Sequence, residues 1–156
     1  MKKLPFVFLI RLLFSSSSFA CQCKLKSVEE YFTDSKAVLL IEVQSLEVVR
    51  ETDESLKAGS IKYLEATIKT IETFKEADAD ISFLRTYSNC GLELYPSQNY
   101  LVYVPKDSRV ENYASRCHGS FKYLPQLEYS QSKLDAVRKY AHNNQMQPTP
   151  NNGSAD

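Results

Sequence analysis

The alternation of apolar and polar residues changes period several times along the chain, and those changes mark its elements. Ala37, Leu39, Ile41 and Val43 fall on one face and Glu42 and Gln44 on the other. That is the period of a half-buried strand. Beyond Gln44 the phase slips, and Leu46 and Val48 become the apolar members. Such a slip predicts a bulge or strong bend inside one long strand over residues 36–50. A polar hairpin loop over 51–59 leads to a second strand over 61–74, with Leu64, Ala66 and Ile68 inward and Glu65, Thr67 and Lys69 outward. After an acidic turn over 75–80, further strands are predicted over 81–87, 98–104 and 112–123. In the fourth, Tyr100, Val102 and Val104 share a face between Pro96 and Pro105.

Two segments carry the helical period instead. Over residues 27–33, Ser27 is a fitting N-cap with Glu30 completing a capping box, and Val28, Tyr31 and Phe32 share a face. Over 130–142, Leu134, Val137 and Tyr140 do the same. Five strands, the first two long and bent, with one helix early and one late, predict a mainly β chain. The expected architecture is a five-stranded OB-type barrel with a short N-terminal helix and a C-terminal helix.

Both ends of the chain depart from this pattern. Residues 1–20 have the parts of a secretory signal: Lys2 and Lys3, an apolar stretch from Leu4 to Phe14 broken only by Arg11, and small residues at Ser18 and Ala20. A membrane span needs about 20 apolar residues. Cleavage after Ala20 makes Cys21 the first residue of a secreted chain, extracellular or periplasmic. One domain over 21–142 follows. Residues 143–156, NNQMQPTPNNGSAD, have almost no apolar content and are predicted to be a disordered tail. The cleaved chain stays off the membrane unless Cys21 is acylated as in lipoprotein maturation. Ser18 and Phe19 fit that route poorly, and it would leave three cysteines.

Charge and cysteines narrow the function. With Lys2, Lys3 and Arg11 removed, 16 basic residues face 19 acidic ones, a formal charge of −3. A mildly acidic domain without a basic cluster excludes nucleic acid as the expected partner. The 10 tyrosines are therefore read as half-buried strand residues rather than a stacking platform. Cys21, Cys23, Cys90 and Cys117 make an even set in a secreted chain, which predicts two disulfides. A Cys21–Cys23 bridge would close a strained ring, and two pairings remain. The spacing lacks the paired knuckles of a structural zinc site. His118 and His142 are the two histidines, and no serine elbow, phosphate-cradling loop or HExxH motif accompanies them. The expectation is a protein that is not an enzyme, has no cofactor of its own and is monomeric.

Several short motifs occur in a telling order. Cys21-Gln22-Cys23 is followed by Tyr31-Phe32 and Ser35-Lys36-Ala37-Val38, then Ser88-Asn89-Cys90-Gly91-Leu92, Asn99-Tyr100-Leu101-Val102 and Cys117-His118-Gly119. Over residues 21–125 this resembles the N-terminal domain of the tissue inhibitors of metalloproteinases and, more broadly, the netrin-like module. The resemblance implies the pairing Cys21–Cys90 and Cys23–Cys117. It also implies that the amine and carbonyl of Cys21 chelate the catalytic zinc of a secreted metalloprotease. Gln22 would enter the S1′ pocket, Lys24 and Leu25 would run along the cleft, and Ser88, Asn89 and Cys90 would form the adjoining ridge. Gln22 stands where the family usually has a small residue, often threonine. The family's third disulfide and C-terminal lobe are absent. The alternative implied by the same resemblance is a netrin-like binding module with purely structural disulfides and a partner that is not a protease.

Overall fold

In the computed structural model, residues 21–52, 59–77, 80–87 and 89–145 are described. Residues 1–20, 53–58, 78–79, 88 and 146–156 lie outside them, and with them the predicted signal and most of the predicted tail. Helix α1 (Val28–Asp34) is followed by β1 (Ser35–Arg50), β2 (Ile61–Lys75), β3 (Phe83–Thr86) and β4 (Asn99–Pro105). A 3-10 turn (Arg116–His118), β5 (Phe121–Lys122) and helix α2 (Glu128–Gln145) complete the order. The strands form one antiparallel sheet in the order β3-β2-β1-β4-β5.

The phase slip in β1 is a real irregularity. The β1–β2 register shifts between Val43 and Ser45, and again near Val38, Leu40 and Val49. Gln44 takes no place in the ladder, so Leu46, opposite Ala66, returns to the buried face. Each bulge bends the ribbon locally.

The core has two layers, one on each side of the sheet. Ala37, Leu39, Ile41 and Val43 pack with Tyr100, Val102 and Val104 from β4 and with Leu92, Leu94 and Ala114 from the segments beyond. Between them in sequence, Val38 and Leu40 face the other way. They meet Leu101, Tyr103, Phe32 of α1 and Leu134, Val137 and Ala141 of α2. Burying an apolar side chain of this size contributes roughly 1.5–3 kcal/mol. Doubly covered β1 and β4 therefore carry most of the stabilisation. The bidentate contact of Arg138 on α2 with Glu72 on β2 (2.6 Å at its shortest) is exposed and adds little.

Both predicted helices form. Ser27 Oγ accepts from the Glu30 N–H (3.2 Å) while the Glu30 carboxylate accepts from the Ser27 N–H (2.8 Å). The closing helix starts earlier than predicted and runs through Asn143–Gln145, residues assigned to the tail from composition.

Two expectations need correction. The fifth strand is confined to Phe121–Lys122, because the 3-10 turn at Arg116–His118 and the positive φ of Gly119 (84°) break the extended run before it. Nor does strand pairing close a barrel, since β3 and β5 sit at opposite edges of the sheet. Residues 112–114 run alongside β3 instead, and 114–116 alongside Cys90–Leu92. The Arg85 N–H donates to Asn112 O (3.0 Å), the Ala114 N–H to Arg85 O (2.8 Å) and the Leu92 N–H to Ala114 O (3.1 Å).

Candidate functional site

Residues 21–26 lead into α1 without regular structure of their own. What fixes them is sulfur. Cys21 is bridged to Cys90 (Cα–Cα 5.4 Å) and Cys23 to Cys117 (Cα–Cα 4.8 Å), the pairing implied by the resemblance. The two bridges lie against each other, with Cys21 Sγ 3.2 Å from Cys117 Sγ. Three sulfurs, from Cys21, Cys90 and Cys117, fall within 4.8 Å of one another. All four cysteines are oxidised, so this cluster offers no thiolate to a metal.

The platform beneath the bridges is hydrogen-bonded. Buried Ser115 donates to Cys90 O (2.7 Å) and accepts from the Cys117 N–H (3.1 Å), tying together the two distant cysteines that receive the N-terminal segment. The Arg116 N–H donates to Cys90 O (3.2 Å), and its guanidinium reaches Gly91 O (3.3 Å) and Glu93 (2.8 Å). Neither Ser115 nor Arg116 was singled out in the sequence. Both sit within two residues of Cys117, the one available signal.

On the other side, the Lys26 N–H donates to the Tyr31 hydroxyl (3.2 Å), and Lys26 Nζ pairs with Asp34 (2.6 Å). The Tyr31 ring lies where a Cβ on Gly119 would be, 2.8 Å from the nearest ring carbon. A side chain at Gly119 would push the Cys117 turn away from α1.

The bridged segment is presented outward. Gln22, Lys24 and Leu25 are exposed, Leu25 at 89%, while Cys21 and Cys23 are half-buried. Asn89 is exposed beside half-buried Cys90, and Ser88 lies outside the described residues. The structure thus brings Cys21 and Cys90 together, with Gln22 to Leu25 leading away from them. The Cys21 nitrogen becomes an amine when the chain is cut before it. Compared with known proteins, the chain matches no family model and no curated sequence.

Gly91 packs closely against the end of β3. A Cβ there would stand 2.3 Å from Thr86 Oγ1 and 2.7 Å from the Tyr87 carbonyl oxygen. Gly91→Ala should therefore destabilise the fold by roughly 1–3 kcal/mol, the scale of overpacking. Urea unfolding checks this, and an unchanged midpoint would show that Gly91 is not wedged against β3.

His118 sits on the same turn, its ring edge-on to Tyr113 and its Nδ1 buried with no hydrogen-bond partner among the described residues. Burial pushes its pKa down, nearby Lys26 adds to the effect and Asp34 opposes it. A depressed folded-state value means that the unfolded chain binds the proton more readily. Stability should thus fall as pH drops through about 6.5, the ordinary histidine value, and level off below the folded-state pKa. Comparing urea midpoints at pH 7.5 and 5 for the wild type and His118→Phe tests this. The variant should lose less over that interval, and an identical fall in both would assign it to other groups.

Proposed function

We propose that this protein is a secreted inhibitor of zinc metalloproteases, acting through the amine and carbonyl of Cys21 after cleavage before that residue. In this reading the open five-stranded sheet, with its two long bent strands, is a variant of the OB-type, netrin-like architecture. The observation that carries the reading is the double pinning of residues 21–23. One bridge sets Cys21 beside Cys90 and the other sets Cys23 on the Cys117 turn, while Gln22 and Leu25 stay in solvent. A segment held this way binds without first losing conformational freedom.

The chemistry fits a catalytic zinc site, which keeps an open coordination position for water. An α-amine with its own carbonyl forms a five-membered chelate ring that displaces that water, removing the nucleophile. Gln22, next in sequence, projects where the pocket flanking the scissile bond would receive it. Its amide is longer and more polar than the small side chain usual in the resembling family, favouring proteases with a deep, polar pocket. Lys24 and Leu25 extend the contact along the cleft. The inhibitor itself catalyses nothing and needs no cofactor.

The test compares the chain beginning at Cys21 with one carrying an extra alanine before it, against a panel holding thermolysin and a matrix-metalloproteinase catalytic domain. Inhibition by the first form alone supports the reading. Equal behaviour of the two assigns the fold to a partner that is not a protease. Intact mass must show a free Cys21 amine, and a gain of lipid size would exclude chelation.

A further inference from the structure

Next to the ridge, between the start of β2 and the segment that follows β3, lies a groove of about 440 Å³. Its walls include Ile61, Leu64, Tyr87, Asn89, Leu92 and Arg116. Ile61 is 59% exposed and Tyr87 39%. Val48, opposite Leu64 in the β1–β2 ladder, extends the apolar surface and is also exposed.

Size says that the bridged tip cannot be the whole interface. It offers Cys21 to Leu25 with Asn89 and Cys90, whereas a stable complex takes about 20–30 residues a side. Neighbouring surface must contribute, and the two flanks of the tip differ in kind. One flank is the charged hollow of Lys26, Asp34, Lys106, Asp107 and His118. The other is the groove, which shares Asn89 with the ridge. Its rim charges are already paired, Arg116 with Glu93 (2.8 Å) and Lys62 with Glu51 (3.4 Å). An apolar centre inside a neutralised polar rim suits an apolar side chain, not a charged one.

We infer that this groove is the second contact surface of the inhibitor, taking an apolar side chain from a surface loop of the same zinc protease that Cys21 caps. The inference rests on the proposed inhibitor function. It assigns the choice among proteases to two sites: the open metal selects the class, and the groove selects the member whose loop fits.

The experiment uses the chain beginning at Cys21, its alanine-extended form, and the variants Ile61→Glu and Tyr87→Ser, against the enzyme of the panel that is inhibited best. Ile61→Glu should raise the inhibition constant at least about tenfold, the effect of losing an interface anchor, while leaving the thermal unfolding midpoint in place. Tyr87→Ser, on the opposite wall, should act in the same direction. Backbone amides of Leu64 and Leu92 should gain hydrogen-exchange protection in the complex. If the extended form fails and both groove variants inhibit as the wild type does, the groove inference falls and zinc capping stands. If the extended form inhibits as well as the wild type, both fall. Concentration-dependent dimerisation of the free protein, abolished by Ile61→Glu, would give the groove to a second copy of this chain and overturn the inference.

Discussion

On the inhibitor reading, one alanine placed before Cys21 should weaken inhibition of a zinc endopeptidase by about a hundredfold or more, the scale of truncating one partner of a desolvated charged contact. The reason is electronic. An amide nitrogen has its lone pair delocalised into the neighbouring carbonyl and is not a ligand. An α-amine has a pKa near about 7.7–8 and presents a free lone pair once neutral. The insertion lies outside both disulfide rings, so the fold and its stability should be unchanged. The same chemistry sets a pH dependence with a definite sign. Zinc binds only the deprotonated ligand. Apparent affinity should therefore fall as pH drops below about 7.7, approaching tenfold per pH unit well below the amine pKa. Inhibition constants measured from pH 6 to 9 with enzyme activity normalised at each pH would show it. A flat profile, or an alanine-extended form of full potency, would remove the amine from the mechanism.

The parts of this molecule that could be read beforehand are those where side-chain pattern and backbone pattern agree. The bend in β1 was visible because skipping Gln44 in the ladder also moves the apolar set from Val43 to Leu46. The first helix was visible because its cap is encoded by Ser27 and Glu30 themselves. The second face of β1 was missed. Val38 and Leu40 fall between the alternating apolar positions, and the two helices packing over them turn a continuous apolar run into two buried faces. The fifth strand is shorter than the predicted 112–123, its extended run being broken by the 3-10 turn at Arg116–His118. The backbone groups of Asn112, Ala114 and Arg116 are spent instead on joining the Arg85 and Cys90–Leu92 segments. Nor does composition mark where α2 ends, since Asn143 and Asn144 are exposed helical residues whose side chains carry no apolar signal. Of the candidate site, the four cysteines and the exposed tip were legible. Ser115, which holds Cys90 and Cys117 in register, was not, because a single serine shows no period.

Removing both disulfides should destabilise the protein by about 8 kcal/mol, more than the sum of removing each alone, in the chain-entropy description. The bridges span 69 and 94 residues, and either one, formed first, contributes about 4–5 kcal/mol. The second then closes a much smaller ring. With Cys21 joined to Cys90, the path from Cys23 to Cys117 runs through two residues, one bridge and the 27 positions separating Cys90 from Cys117. That ring is worth about 3.5 kcal/mol, which is also the cost of deleting either bridge alone. A domain of this size is stable by roughly 5–15 kcal/mol. Cys21→Ala/Cys90→Ala and Cys23→Ala/Cys117→Ala should therefore each remain folded, while the fourfold variant stands at the edge of unfolding. Urea titrations of the three variants check this, and a fourfold variant no weaker than either double would refute ring closure as the source of stability. Function should divide differently on the inhibitor reading. Losing Cys21–Cys90 frees the chelating residue itself and should cost most of the inhibition. Losing Cys23–Cys117 leaves Cys21 pinned and should cost less, even though the two losses in stability are nearly equal.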